Sequence, residues 1–312
     1  MHRLIAALHR IRRWTLARIC TAVLPWTVAG RPSTLKAGCL RWIVLPGIAA
    51  RREDLEHEVR PGVMFRGNTA DFLPMVVRVF GRWEPAMTAF LNSRLTPGRV
   101  FVDVGANIGW FDLVASPLVG PDGGVVAIEA SPAIHTRLAE QIGRNGLTNV
   151  RTVNEAVGSS DGWVQIVDGP SWNSAQSGVV VDIQRPGSVV CRALDKILTA
   201  AEIRLCRVVK IDVEGAEFDV VRGLGPLLDA LPGDAELVVE VGPKRAGAAS
   251  SVDDLWQTFI SRGYHAYELP NEYTARFLRD PIVPRALRPL AAPPHRQTDV
   301  VFTHTSAGEL PL

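Results

Sequence analysis

Between residues 100 and 303 the sequence alternates between short apolar segments and segments whose apolar residues recur every three or four positions. Alternation of this kind is typical of a mostly parallel sheet that is covered by helices on both faces and wound by right-handed crossovers. It predicts a Rossmann-like α/β fold with a doubly wound, mostly parallel seven-stranded sheet. The strand-like segments are Val100–Val104, Gly124–Ala130, NVRTVNEAV, RVVKIDVEG, AELVVEV, YHAYEL and TDVVFT.

Charge divides the chain into parts. Residues 1–52 hold ten Lys or Arg and no acid, so they contribute +10 to a net charge of +2, and residues 53–312 carry −8. We therefore predict a basic N-terminal arm with helical character at 1–52, a cap or leading segment at 53–99 and the α/β domain at 100–305. The acidic body argues against a nucleic acid as partner.

The first 30 residues combine arginines with apolar residues at helical spacing. Their longest uncharged run, Ile19–Gly30, is shorter than the about 20 residues that cross a bilayer. Three interpretations stay open: an amphipathic helix on an anionic membrane surface, a helix packed on the domain, or a cleaved signal peptide. The four cysteines form no CxxC pair and predict free thiols. We expect a cytoplasmic protein that contacts the inner face of the membrane peripherally, through residues 1–30.

The stretch VFVDVGANIGWFD, residues 100–112, joins the first strand to the first helix of the domain. In such sheets ligands bind where strands end at their carboxyl edge, and glycine lets the backbone turn sharply and approach a ligand. Twenty residues after Gly109, Glu129 ends the second strand, where a carboxylate can accept the hydroxyls of a ribose. Polar groups at the end of the third strand are expected beside an adenine ring. The predicted cofactor-binding residues are Asp103, Gly105, Ala106, Asn107, Gly109, Glu129, Ala130, Asn154, Glu155 and Ala156.

The spacing of the glycine turn narrows the choice of ligand. The GxGxxG pattern of dinucleotide sites fails, because Asn107 and Trp110 stand where its second and third glycines belong, and no GxxxxGK[ST] loop is present. The acid at the root of the turn, Asp103, would repel a pyrophosphate but suits an ammonium or a sulfonium. S-adenosylmethionine carries both of these cations, a ribose and an adenine, and no phosphate. We therefore expect S-adenosylmethionine as the cofactor.

Several blocks of the sequence resemble the FkbM family of S-adenosylmethionine-dependent methyltransferases. The resemblance runs roughly from Trp83 to Thr303, and KIDVEGAE at Lys210–Glu217 is its most specific block. It implies the class I methyltransferase fold and transfer of a methyl group to a hydroxyl of a sugar, a glycolipid or a secondary metabolite. One departure is EASP, where the family shows Glu followed directly by Pro. The matching blocks are FVDVGANIGWFDLVA, VVAIEASP, NEAVGSSDG, RALDKIL and VVKIDVEGAEFDVVRG.

Three ionisable residues, Lys210, Asp212 and Glu214, end the fourth strand segment. On an extended strand their side chains share one face, and charges on so apolar a strand need a partner or access to solvent. One interpretation is an ion pair between Lys210 and a carboxylate. The other, which the family resemblance favours, is catalytic: these groups position the acceptor hydroxyl or remove its proton. No His stands near them in sequence, so we predict no metal.

Nearby acids and the broader function leave alternatives open. Glu217 begins a helix, where acids suit the helix dipole. Glu240 closes the fifth strand segment and faces either the edge of the site or a partner charge. The residues alone also allow a nicotinamide-dependent oxidoreductase on the same fold, or a protein that binds the nucleotide without catalysis.

Overall fold

The computed structural model describes residues 43–167, 178–181, 187–242, 252–272, 285–306 and 310–312, with the single positions 24, 27, 38, 39, 283 and 308. Of the predicted arm at residues 1–52, the structure describes residues 43–52 and the single positions 24, 27, 38 and 39, and the rest lies outside the described residues. The chain divides into two units, one consisting chiefly of residues up to Pro85 and the other chiefly of residues from Ala86 onward. The predicted domain boundary at residues 99 and 100 stays a prediction.

The first unit contains a β-hairpin between two helices. Its strands are antiparallel, with Asp54 opposite Asn68. The second helix is capped at its N-terminus by Asp71, whose side chain accepts a hydrogen bond from the Phe72 N–H, and at its C-terminus by Gly81 in the left-handed conformation. The elements are α1 (Leu45–Arg51), β1 (Asp54–Arg60), β2 (Val63–Asn68) and α2 (Phe72–Phe80).

The second unit carries the alternating strands and helices that the sequence predicts. Its helices are α3 (Pro85–Arg94), α4 (Trp110–Val119), α5 (Pro132–Arg144), α6 (Leu194–Ile197), α7 (Ala200–Leu205), α8 (Glu217–Arg222), α9 (Gly225–Ala230) and α10 (Val252–Ile260). Its strands are β3 (Val100–Val104), β4 (Gly124–Ile128), β5 (Val150–Val153), β6 (Ala156–Val157), β7 (Gly162–Val167), β8 (Gly178–Val181), β9 (Ser188–Arg192), β10 (Cys206–Ile211), β11 (Glu236–Val241), β12 (His265–Leu269), β13 (Ala286–Leu290), β14 (Thr298–Thr303) and β15 (Leu310–Pro311).

The main sheet has the order β15-β13-β12-β14-β11-β10-β3-β4-β5. The five neighbouring strands β11, β10, β3, β4 and β5 are parallel, and β14 pairs antiparallel with both β11 and β12. The α/β fold is confirmed, but the predicted count of seven strands is too low for the described residues. The segment RALRPLAAPPHR, which reads as a connector, contains β13. Its Pro289 is tolerated because β15 pairs only with Ala286 and Leu287, so Pro289 lies on an open edge.

A second sheet of four short strands, in the order β6-β9-β7-β8, follows the third strand of the main sheet. The sequence did not predict it. The segment NVRTVNEAV reads as one strand but divides into β5 and β6, because Val153 ends the pairing with β4 and Ala156 pairs with Cys191 of β9. The polar residues between these strands therefore lie where the chain leaves the main sheet.

The centre of the main sheet is buried on both faces. All five residues of β3 are buried, and its Val100, Val102 and Val104 join one core with residues of β10 and β11. Complete burial of a five-residue strand requires covering layers on both sides, as a doubly wound sheet provides. None of the described helices has the length and hydropathy to cross a membrane.

The strand order creates a switch point between β3 and β10. From β3 the chain proceeds to β4 and β5 on one side, and then returns to β10 and β11 on the other. The connections after β3 and β10 therefore leave in opposite directions and open a crevice at the carboxyl ends of these strands. Ligands of doubly wound sheets bind at such points.

Candidate active site

The turn after β3 depends on backbone conformations that favour glycine. Gly105 has φ +85°, Asn107 has φ +51° and Gly109 has φ +87°. A Cβ atom at Gly105 would lie 1.9 Å from the backbone carbonyl oxygen of Asp212, because the end of β10 passes directly against the turn. Glycine is therefore required at residue 105 both by its conformation and by the close approach of a second strand.

Glu129 lies against this turn. Its Oε2 accepts a hydrogen bond from the Asn107 N–H at 3.0 Å, and its Oε1 accepts one from the Ser131 N–H at 2.8 Å. Burial raises the pKa of Glu129 to about 7, although these two hydrogen bonds act in the opposite sense. The remaining lone pairs of its oxygens are suited to two adjacent hydroxyls. The structure thus brings Glu129 to the turn, as the sequence predicts.

Lys210 joins the turn to the neighbouring strand. It lies beside Asp103 in the register of β10 with β3, and its Nζ is 3.4 Å from Asp103 Oδ1 and 3.1 Å from Asp212 Oδ2. Lys210 is 5% exposed and Asp103 is fully buried. Burial raises the pKa of Asp103, and the positive charge of Lys210 opposes that shift. The ion pair that the sequence left as one interpretation is present, and it does not exclude a catalytic role.

Asp212 belongs to a cluster of carboxylates at the ends of β10 and β11. One oxygen each of Asp212, Glu217 and Glu240 lie within 4.8 Å of one another. Burial raises the pKa of Glu240 to about 9, and the charges of Asp212 and Asp299 raise it further. Burial likewise raises the pKa of Asp299 to about 7. Three carboxylates at this spacing are able to hold a divalent cation, or to bind and deprotonate a hydroxyl.

Glu214 is not placed as the sequence predicts. Strand β10 ends at Ile211, and Glu214 has φ +53° in the bend that follows. Side chains alternate between faces only while the backbone stays extended, so the prediction that Glu214 shares a face with Lys210 and Asp212 was wrong. Glu217, which follows the bend, reaches Asp212 instead, and its Oε1 accepts a hydrogen bond from the Gly215 N–H.

The residues after β5 have other partners in the structure. Asn154 donates hydrogen bonds from Nδ2 to the backbone carbonyls of Glu129 and Ala130, at 2.8 and 3.1 Å, so it fixes the backbone beside the Glu129 carboxylate. Glu155 pairs with Arg192 at 3.6 Å, and Ala156 is buried in the second sheet. Their contact with an adenine ring stays a prediction.

The family comparison decides the identity of the chain. The sequence profile of the family described as Methyltransferase FkbM domain matches residues 103–266, more than half of the chain. The chain belongs to this family. The match confirms the predicted family and its methyltransferase domain, and it rejects the nicotinamide-dependent alternative.

Solved structures show distant similarity. Methyltransferase FkbM from Methylobacillus flagellatus KT has a TM-score of 0.42 and 13% identity, over 73% of this chain and 52% of its own, so this chain spans about half of that protein. An rRNA methylase from Streptococcus thermophilus has a TM-score of 0.42 and 11% identity, over 72% of this chain and 98% of its own. Aeropyrum pernix fibrillarin, in complex with S-adenosyl-L-methionine, has a TM-score of 0.39 and 10% identity, over 70% and 73%. Comparison with curated proteins finds no match.

The site of this FkbM methyltransferase fits S-adenosylmethionine. Two buried atoms at the turn, Asp103 Oδ2 and Asn107 Oδ1, have no hydrogen-bond partner within the described part of the chain. Both are acceptors, and they suit the ammonium and hydroxyl donors of the cofactor. With Glu129 for the ribose, these residues would hold the cofactor. When bound, the cofactor supplies a methyl group already activated on a sulfonium.

Sequence reasoning left the roles of Glu217 and Glu240 open and did not single out Asp112. Glu240 comes beside Asp212 because Ile211 pairs with Val239 in the register of β10 with β11, so the next residues of both strands meet at one edge. This signal was available from the strand order. Glu217 reaches the cluster only because of the bend, and Asp112 on α4 only because the first turn of α4 folds back beside Asp103 and Lys210. Local sequence carries no comparable signal for these two.

Proposed function

We propose that the chain transfers the methyl group of S-adenosylmethionine to a hydroxyl oxygen of a sugar, a glycolipid or a secondary metabolite, with Asp212 as the group that accepts the hydroxyl proton. Methyl transfer from a sulfonium is an in-line displacement, so the protein must align the acceptor oxygen and exclude water. A hydroxyl is a poor nucleophile until its proton leaves, and a base beside it raises the rate.

The position of Asp212 carries the proposal. Its N–H donates to the carbonyl of Val104 at 3.0 Å, and its own carbonyl lies against the position of a Gly105 Cβ. The carboxylate therefore stands one strand away from the turn that would hold the cofactor. Lys210 fixes the Asp212 carboxylate through a 3.1 Å ion pair, which orients the carboxylate toward one geometry.

The other carboxyls of the cluster define what kind of acceptor fits. With a pKa of about 9, Glu240 carries a proton at neutral pH and both donates and accepts hydrogen bonds. Asp212 and Glu217 offer further acceptors for the hydroxyls of a neutral polyol. A phosphate backbone would be repelled by this cluster. We therefore propose an uncharged hydroxylated acceptor and no nucleic acid, although two of the similar solved structures are described as rRNA methylases.

Lys210 and Asp212 are the catalytic residues of the proposal, Glu217 and Glu240 bind the acceptor, and the role of Glu214 stays a prediction. The mechanism needs no metal, because the base and its orienting cation are both side chains. The acceptor is to be found by incubating the enzyme and methyl-labelled S-adenosylmethionine with fractions of cell extract and identifying the labelled product.

With the acceptor in hand, Asp212→Asn tests the mechanism. Loss of a general base lowers kcat by about 10²- to 10⁴-fold, while calorimetry should show cofactor affinity within about twofold of the original protein. Asp229→Asn serves as the matched control, since Asp229 is exposed and pairs with Arg262 at the surface. Normal turnover by Asp212→Asn would refute the role. Loss of turnover in EDTA, restored by Mg²⁺, would show that the carboxylates act through a metal instead.

We also propose that residues 1–30 of the basic arm contact an anionic membrane surface, because this segment combines arginines with apolar residues at helical spacing. A lipid-linked acceptor would then be presented at that surface. Co-sedimentation with anionic vesicles should be strong for the full chain and weak for a chain that lacks residues 1–30. Equal binding by both chains would reject this part of the proposal.

A further inference from the structure

Asp112 is a buried acid that the proposed methyl transfer does not use. It lies in the first turn of α4 and is fully buried, and neither of its carboxylate oxygens has a hydrogen-bond partner among the residues that the structure describes. Its Oδ2 lies 3.5 Å from the position of a Cβ at Gly109, so the carboxyl is packed directly behind the glycine turn. A buried carboxylate without a partner is strongly unfavourable.

The surroundings of Asp112 contain too little positive charge for it. Two charged residues act electrostatically on Asp112: Asp103 on β3, which is also fully buried, and Lys210 on β10. Lys210 already contacts Asp103 and Asp212, so a single ammonium serves three carboxyls. If all three were ionised, this group would carry a charge of −2. Asp103 and Asp112 are fully buried, and a buried ion without compensation costs several kcal/mol.

The described side chains that α5 packs against Gly109 and that the end of β4 places at the turn are apolar or acidic. Helix α5 presents the apolar side chains of Leu138 and Ile142 to Gly109. From the end of β4, Glu129 adds another acid, whose pKa the charge of Asp103 raises. Burial raises the pKa of Asp112 well above its usual range, and the charge of Asp103 raises it further, while Lys210 and the Asp112 backbone N–H act in the opposite sense.

We propose that Asp112 and Asp103, both fully buried, together hold one proton in the free protein, and that binding of S-adenosylmethionine at the glycine turn displaces this proton to solvent. Three buried oxygens, Asp103 Oδ2 and both of Asp112, lack hydrogen-bond partners within the described ranges, and Asp112 Oδ2 lies 3.5 Å from the position of a Cβ at Gly109 in the turn. A cation brought there favours the ionised pair, so the carboxyl O–H bond breaks and the proton passes to the buffer. The inference concerns cofactor binding alone and does not depend on the acceptor.

Calorimetry of the full chain tests this coupling without any acceptor. S-adenosylmethionine is titrated between pH 5.5 and 7.0 in buffers of different ionisation enthalpy. Its α-amino group stays mostly charged in this range, because the ordinary pKa of an α-amino group is about 7.7–8.0. We expect release approaching one proton for each cofactor bound. Affinity should then rise with pH, by up to about tenfold per pH unit. Heats and affinities that are independent of buffer and pH would overturn the proposal.

The released proton must also be assigned to a residue. Glu129 is a second possible source, because it has a pKa of about 7 and would change its contacts when a ribose binds. 5′-Methylthioadenosine keeps the adenine, the ribose and the sulfur but carries neither the ammonium nor the sulfonium charge. Proton release with S-adenosylmethionine and not with methylthioadenosine supports the Asp112–Asp103 pair. Equal release with both ligands would assign the proton to Glu129 and overturn the proposal.

Asp112→Asn supplies a second test of the assignment. It replaces one oxygen by a nitrogen of nearly the same size and removes the proton that the two acids hold, so release should fall toward zero and affinity should lose its pH dependence. Asp122→Asn, at an exposed acid between α4 and β4, should leave both quantities unchanged. Undiminished release from Asp112→Asn would contradict the proposal. If Asp112→Asn does not fold, the comparison of ligands on the original protein still decides.

Discussion

Substitution of Gly105 by alanine tests how the glycine turn is built. Gly105 has φ +85°, and a Cβ there would lie 1.9 Å from the Asp212 carbonyl oxygen and 2.8 Å from its carbon. Both atoms belong to the backbone at the end of β10, so no flexible side chain can move aside. Either the turn or the backbone at Asp212 must shift.

Gly98 provides the matched control, because it separates the cost of a left-handed alanine from the cost of the steric clash with the Asp212 backbone. It has φ +82°, and no atom lies within 4 Å of a Cβ built on it. Gly98→Ala should therefore lose only the left-handed preference, about 1–2 kcal/mol of unfolding free energy. Gly105→Ala should lose that amount and, in addition, about 1–3 kcal/mol for the forced displacement.

Thermal unfolding followed by circular dichroism measures the difference. At about 2–4 °C per kcal/mol, Gly105→Ala should unfold several degrees below Gly98→Ala. Calorimetry should show cofactor affinity reduced at least about tenfold for Gly105→Ala alone, since a shift of about 1 Å in a binding turn has effects of that size or larger. Equal melting temperatures and equal affinities for the two variants would refute the packing argument.

Two further substitutions test the charges of the second unit. Glu240→Gln should stabilise the free protein above pH 4.5. The pKa of Glu240 in the folded protein, about 9, lies above the ordinary 4.5, so the folded state binds more protons and its stability falls as pH rises between these values. Melting curves of both proteins at pH 4.5 and 8 check this, and a stabilisation that is larger at pH 4.5 would contradict it. Glu236→Gln should lower the unfolding free energy by about 3–5 kcal/mol, because Glu236 Oε2 is 2.6 Å from Arg94 and 2.9 Å from Arg207 in a buried network. Urea denaturation measures this loss beside that of Asp161→Asn, which removes an exposed ion pair with Lys196 worth less than about 1 kcal/mol. Equal losses in the two variants would show that burial does not strengthen the network of Glu236.

Much of the fold was predictable because it depends on local patterns. The run Val100–Val104 is a buried strand, the glycines at 105 and 109 turn the chain into α4, and Glu129 comes to the same edge because parallel strands end together. These relations follow from strand periodicity and from the geometry of parallel sheets. They need no knowledge of distant contacts.

The composition of the acid cluster was less predictable because it depends on contacts that local sequence does not encode. Glu214 leaves the face of β10 at a single residue with positive φ, and no spacing rule anticipates that bend. Glu217 replaces it after the bend, and Glu240 arrives from the neighbouring strand. The edge strand β13 was hidden by prolines, which an open edge tolerates. Each difference arises where tertiary contacts outweigh local preference.

The affinity of Glu129→Gln for S-adenosylmethionine tests most directly the claim that the cofactor lies at the carboxyl ends of β3 and β4. Hydrogen bonds to a charged group are worth about 1.5–3 kcal/mol, so calorimetry at pH 8 should show binding at least about tenfold weaker. Glu140→Gln, at an exposed acid on α5, should bind as the original protein does. Unchanged affinity in Glu129→Gln, with the fold intact by circular dichroism, would place the cofactor elsewhere.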